Sequence, residues 1–361
     1  MKPSSYFATL TPEDKGSFPA QVQDLKVRLR GWLNERQLSL ANLLMVRVYL
    51  TDAANQLDEL RRHSLYSHYL STAGFSYVEQ PLLDGAKIAL QLWCVDAPGL
   101  CKKLTGDGVV AEGEGVRILF QSVRFDAAEV MGLNAEQQTR EAFKRHMAWL
   151  GKFGMNLKDH CHRTWIFVRD IDRHYAGVVR GRNELFAEEG LTAETHFISS
   201  TGIGGYGNNR EAVVCMDFLS VKSGTDAGVK YLKAPEYLNP TSEYGVAFER
   251  GTALTILGDR YRLISGTASI DKHGECLYRN DVIAQTERLF LNIEQLLGSD
   301  GAGLEDMAYM IVYLRDIADS GRVRQYVEKR FPQVPFLITE ARVCRPEWLV
   351  EVECIACSPL R

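Results

Sequence analysis

The sequence lacks most of the features that announce a compartment or a common ligand. Its 361 residues contain no apolar run long enough to cross a bilayer. The opening stretch, MKPSSYFATLTPEDKG, has neither the basic start nor the apolar segment of a secretory signal, so a cytoplasmic protein is expected, with no membrane partner. No Lys/Arg-rich tract occurs, and 42 Lys and Arg are outnumbered by 46 Asp and Glu, a formal charge of -4. Nucleic acid is therefore not an expected partner. The eight cysteines (Cys94, Cys101, Cys161, Cys215, Cys276, Cys344, Cys354 and Cys357) are scattered, which suits reduced thiols rather than a disulfide scaffold. No P-loop and no Ser-His-Asp order stands out. Cys354-x-x-Cys357 has no second pair at zinc spacing, and His160-Cys161-His162 is short of ligands, so neither a metal nor another cofactor is expected. Work on a small molecule, whether binding or chemistry, is the expectation that remains.

What the sequence does contain is one unit written three times. Amphipathic helices are expected over QVQDLKVRLRGWLNERQLS, QQTREAFKRHMAWLGKFG and DVIAQTERLFLNIEQLLG, where apolar residues recur at helical spacing: Val22, Leu25, Leu29 and Leu33 in the first. Each is followed by a β-branched and aromatic run ending in an acidic turn, at Asp52, Asp170 and Asp316. A second helix follows, then a closing strand: KIALQLWCV, EAVVCMDFLSV and WLVEVECIA. The pattern predicts an α+β fold of tandem units spanning 1–104, 115–222 and 240–361, each a leading hairpin, helix, strand, helix and strand, with helices on one face of a mixed sheet. Linkers are expected near LTGDGVVAEGEG (104–115) and within 222–245.

In the last closing strand Val350, Val352 and Cys354 share one face while Glu351 and Glu353 share the other. That polar face is expected to meet water, another unit or another chain. If it is covered, Glu351 beside Glu353 resists ionising through desolvation and like charge, and becomes a candidate general acid; if it is wet, Glu351 is an ordinary surface residue. The corresponding positions in the other units are Cys215 and Ala89. Cys344 lies between Arg342 and Arg345, which would favour thiolate; the alternative is a small packing residue. STGIGGYGNNR (200–210) has the wrong spacing for a dinucleotide fingerprint. It reads either as a turn or, through Gly204, Gly205 and Arg210, as a nest for a carboxylate. RDIDRHYAGVVRGRNELF places Tyr175, Val178 and Arg182 on one helix face beside Arg180 and Asn183, as either a solvated basic helix or a carboxylate clamp.

From ISGTASIDKHGE through DVIAQTERLFLNIEQLL and VYLRDI to VEVECIA, the last unit resembles the Rid superfamily, YjgF-like proteins of chorismate-mutase-like fold. More narrowly, RDIDRHYAGVVRGRNELF, STGIGG and SGTASI, with a Cys seven residues before a Glu, resemble the chorismatases, tandem Rid-like hydrolases of chorismate. The resemblance runs from about Gly115 to Ala356. It implies an assembly of three units with ligand sites in the clefts between them, as a homotrimer or an internal pseudo-trimer. It also implies Glu351 as catalytic acid, Gly266 and Thr267 at the substrate, no cofactor, and a Cys344 associated with 3-hydroxybenzoate as ring product. Two rival functions stay open: a Rid-type imine or enamine hydrolase, and a non-catalytic metabolite-binding trimer. The hydrolase would use an Arg soon after the second helix, where this chain reads Pro335-Phe336-Leu337.

Overall fold

A computed structural model describes residues 4–223 and 228–359. Three mixed sheets follow one another along the chain. The first runs Ser4–Leu10, Ile88–Asp96, Leu43–Leu50, Gly74–Glu79 in spatial order. The second runs Cys101–Leu104, Gly108–Gly113, Val116–Val123, Val214–Ser223, Cys161–Val168, Ser199–Gly204. The third runs Lys230–Tyr231, Gly251–Ile256, Asp259–Thr267, Val350–Pro359, Met307–Leu314, Phe336–Glu340. In every sheet the closing strand lies in the interior, antiparallel to both neighbours.

The expected helices form at Phe18–Glu35, Ala135–Gly151 and Val282–Gly298, capped by Ser17, Asn134 and Asp281 through hydrogen bonds to early backbone N–H groups. The acidic turns have a local purpose in two units. Asp52 accepts from Asn55 N to start Ala53–Arg62, and Asp316 accepts from Ala318 N at 2.9 Å in the turn before Ser320–Arg330.

Three features depart from the expected pattern. Each unit carries an additional short strand, parallel to its neighbour, between the second helix and the closing strand: Gly74–Glu79, Ser199–Gly204 and Phe336–Glu340. The stretch 104–115 is a paired hairpin of the second sheet rather than a linker, because Val109, Val110 and Ala111 are buried in it. Of 222–245, residues 224–227 lie outside the described residues, and Lys230–Tyr231 is an edge strand of the third sheet. Among the described residues the first unit has one leading strand, not a hairpin.

Helices cover one face of each sheet. The opposite faces of all three turn toward a shared interior holding Met45, Tyr49 and Trp93 of the first, Trp165 and Phe167 of the second, and Tyr309 and Tyr313 of the third. The leftover polar face therefore meets other units of the same chain. Its charges are paired there: Arg47 Nε donates to Asp217 Oδ2 at 2.8 Å, and Arg163 Nη2 donates to Glu353 Oε2 at 2.8 Å. All four side chains are essentially inaccessible. Buried pairs add little net stability because desolvation offsets their attraction, but breaking one is costly. Backbone bonds close the three junctions: Glu79 N to Tyr206 O, Gly204 N to Arg342 O, and Leu83 N to Ile338 O.

Candidate active site

Glu351 sits where the second and third sheets meet. A β-bulge next to it makes the site: Asp259–Thr267 pairs with the closing strand at Ile264↔Cys354 and again at Thr267↔Val352, so Ser265 and Gly266 together span the width of Glu353. The bulge is tied across the junction, with Ser200 N donating to Ser265 Oγ and Gly266 N donating to Thr201 Oγ1, each at 2.9 Å. A Cβ on residue 266 would lie 2.0 Å from Glu351 Oε1, so only glycine leaves room for the carboxyl. Gly202 plays a milder version of this part, since a Cβ there would lie 3.2 Å from the ring of Tyr175.

The Glu351 side chain lines a cavity of about 50 Å³ walled by Tyr175, Arg182, Phe248, Arg250, Cys344 and Trp348, with Arg345 beside them. Burial, and then the neighbouring Glu353 carboxylate, push the Glu351 carboxyl up to about 8, against the pull of Arg163 and Arg250. Glu353 behaves differently because its oxygens are held: Arg163 takes one and Trp165 Nε1 donates to the other at 2.7 Å. The two carboxyls on one face thus differ in surroundings: Glu353 is held in an ion pair, while Glu351 lines the cavity with its carboxyl raised by burial. Such a group can donate a proton near neutral pH.

Cys344 corrects an expectation. Its thiol is not thiolate-like: burial and Glu351 push it up to about 12. Arg342, one of the two flanking cations, points away and pairs with Asp172 Oδ2 at 2.7 Å; Arg345 stacks over Trp348. The thiol instead hydrogen-bonds with Tyr175, whose hydroxyl burial holds well above its usual range.

The structure brings Glu351, Cys344, Tyr175, Arg182 and Gly266 together. It places the other candidates elsewhere. Arg210 is exposed in the 205–213 loop. Gly204 serves the junctions, its N–H donating to Arg342 O and its carbonyl accepting from Gln80 Nε2, while Gly205 N donates to Val168 O within its own sheet. Thr267 donates its hydroxyl to Ser265 O within its own strand. Arg180 pairs with Glu136, and Asn183 holds the 245–247 backbone. Sequence reasoning missed Ser200, Gly202, Phe248, Arg250, Ala268 and Trp348. Ser200 and Gly202 lay in a glycine-rich stretch already singled out, and reading it as a strand would have found them; Phe248 and Arg250 carry no local signal.

A larger cavity, about 550 Å³, lies elsewhere between the same sheets, lined by His160, His162, His196 and Tyr231 among others. It is broad and open, and burial pushes His162 down to about 4. Among the described residues no group of His, Cys, Asp and Glu is placed to hold a metal ion, and no helix is long and apolar enough to cross a membrane.

Comparison with known proteins bears on the fold. Residues 254–358 match the family model described as Endoribonuclease L-PSP. The chain is similar to the 3-aminoacrylate deaminase RutC of Acinetobacter baylyi, 27% identical over 104 residues, which is 27% of this chain and 79% of that protein. It is likewise similar to a RutC family protein of Pyrococcus abyssi, 27% identical over 126 residues, covering 34% of this chain and 91% of that one. Among solved structures it superposes on a chorismatase with a TM-score of 0.68 over 98% of both chains at 17% identity, a likeness of fold from end to end.

Proposed function

We propose that this chain, a member of the Rid superfamily with the fold of a chorismatase, cleaves the enolpyruvyl ether of chorismate and releases pyruvate. The observation that carries the reading is the buried Glu351 carboxyl, its pKa raised by burial and by Glu353, facing a cavity with Arg182, Arg250 and Arg345 on its walls. Glu351 protonates the terminal methylene of the enol ether, leaving an oxocarbenium carbon. Water adds to that carbon, the hemiketal collapses, and pyruvate leaves together with a ring diol. The guanidinium groups bind the substrate's two carboxylates and offset the charges that develop. If the diol then loses its own water, the ring product is 3-hydroxybenzoate and the overall change consumes no water. Cys344, as a neutral thiol beside Tyr175, stands where it can steer that second step.

Incubation with chorismate tests the reading. Pyruvate and a ring product should appear together in equal amounts, the first by a coupled dehydrogenase and the second by chromatography. No pyruvate, with ammonia released from an imine or enamine acid instead, would sink the reading and leave the deaminase in its place.

A further inference from the structure

Beside the Glu351 cavity lies a second chamber of about 150 Å³ that shares two wall residues with it, Phe248 and Arg250. Its sides are mainly apolar: Phe197, Leu232, Ala234, Pro235, Leu238 and Phe248. Two cations are among its lining: Arg250, which also lines the acid's cavity and donates to Asn239 O and Oδ1 at 3.2 and 3.3 Å, and the exposed Lys233. Glu249 is the one acidic wall residue, and it is engaged with Phe197 N at 2.9 Å. The ring of Phe248 is common to both walls. The Arg250 guanidinium stands 5.4 Å from it and the Arg182 guanidinium, in the acid's cavity, 6.0 Å.

Size and lining decide what fits. An apolar space of roughly 150 Å³ accommodates one benzene-sized ring. Arg250 and Lys233 within a largely apolar lining suit a ring that bears a carboxylate. The 50 Å³ beside Glu351 cannot hold a whole ring diacid, whereas the two spaces joined past Phe248 come much nearer.

We propose that this chamber is a second binding site, for a monocyclic carboxylate of the benzoate class, and the route by which the ring half reaches and leaves the buried acid past Phe248. The choice of ligand rests on the function proposed above, but its binding is measured without turnover. The probe is 3-iodobenzoate soaked into crystals of the whole chain, located by the anomalous signal of iodine, with 3-fluorobenzoate titrated in solution by fluorine NMR. Iodine is expected between Leu238 and Phe248. Leu238→Trp, which fills the chamber, should weaken 3-fluorobenzoate binding at least tenfold. Lys233→Glu, at an exposed rim that folding does not depend on, should weaken it several-fold, and Glu351→Gln should leave it unchanged. Iodine confined to the Glu351 cavity, no saturable binding, or undiminished binding by both chamber variants would overturn the proposal. Iodine in the chamber of a protein that makes no pyruvate would instead overturn only the proposed reaction.

Discussion

Two junctions built on the same plan end in opposite states. Glu351 of the third sheet faces the second sheet across an open cavity; Cys215, at the matching register of the second sheet, faces the first across a filled one. The difference begins one residue past the strand that flanks each closing strand. Ala268 follows Thr267, the partner of Val352, whereas Arg124 follows Val123, the partner of Met216. Ala268 lines a space. Arg124 occupies one: it donates to Asp217 Oδ1 and to Ser76 Oγ at 3.0 Å and to Tyr77 O at 3.1 Å through Nε, closing the junction with charge and hydrogen bonds. The bulge at Ser265–Gly266 has no counterpart beside Asp217, where Ser122 pairs one to one. The third junction, between the first and third sheets, is packed shut by Phe7, Trp93, Tyr261 and Tyr309, with Ala89 in the acid's place. Among the described residues, a single junction left open around an acid follows from small local choices imposed on a threefold plan.

The strongest way to break this comparison is to remove the acid. Glu351→Gln keeps the volume but cannot deliver a proton to carbon, and pyruvate formation should fall by roughly 10²–10⁴-fold while circular dichroism stays native. Stability gives a second readout. Between pH 4.5, the ordinary value, and about 8 the folded chain keeps a proton that the unfolded chain has lost. The wild-type protein therefore loses stability as pH rises through that window, by at most about 1.4 kcal/mol per unit. The variant should lack this slope in denaturant titrations at pH 5, 6, 7 and 8. Near-normal turnover would return Glu351 to the status of a structural residue.

Exchanging the residues that differ sharpens the contrast. Ala268→Arg should fill the open junction as Arg124 fills the closed one, lowering kcat/KM for chorismate by roughly a hundredfold, the scale of a pocket that loses several methylenes of room. Arg124→Ala should leave catalysis alone. It strips one of two guanidiniums from buried Asp217 and should cost about 3 kcal/mol of stability, read as a lower urea midpoint with kcat nearly unchanged. Loss of activity in Arg124→Ala at a temperature where it is fully folded would mean that the junctions are coupled.

How much of this was legible in the residues follows physical lines. Helices and long strands announce themselves by periodicity, so the three units stood out, as did the pairing of Glu351 with Glu353 on one face. Short parallel strands did not: SSTGIG has too few β-branched residues and too many glycines, and its strand character comes from pairing with Cys161–Val168. Arg342 and Arg345 looked equivalent around Cys344, yet Asp172, 170 residues away in sequence, takes Arg342. Phe248 and Arg250 are held at the site by contacts from distant segments, among them Asn183 on the 245–247 backbone, Glu249 N to Ile198 O and Ser265 N to Arg250 O. Partners distant in the chain leave no local mark.

Cys344 offers a finer probe, because its expected effect is on the product rather than the rate. As a neutral thiol bonded to Tyr175, it has no part in protonating the enol ether. Cys344→Ala should leave pyruvate release within a few-fold of wild type and shift the ring product from 3-hydroxybenzoate toward the diol. Equal loss of both products would make Cys344 a packing residue of the cavity wall.

The subtlest expected effect separates the two carboxyls themselves. Asp217, at the register of Glu353, is a purely structural anion held by Arg47, Arg124 and Ser76, and burial does not stop those partners from keeping it well ionised. Glu353 has the same register and the same kind of clamp, but its neighbour two residues along is an acid rather than Cys215. Replacing it with Gln removes a negative charge that raises Glu351 and leaves the Arg163 cation unbalanced; both changes favour the Glu351 carboxylate. Other groups around Glu351, namely Arg182, Arg250, Arg345, Tyr175 and Cys344, are untouched. A general acid works below its pKa and fails as pH rises through it. The alkaline limb of kcat/KM should therefore move to lower pH in Glu353→Gln, by about one to three units. A clamp that only holds sheets together would lower the melting temperature and leave the limb at about 8 where Glu351 sets it. An unmoved limb in the folded variant would make Glu353 the equivalent of Asp217, and the difference between the two junctions would then rest on Glu351, Gly266 and Ala268 alone.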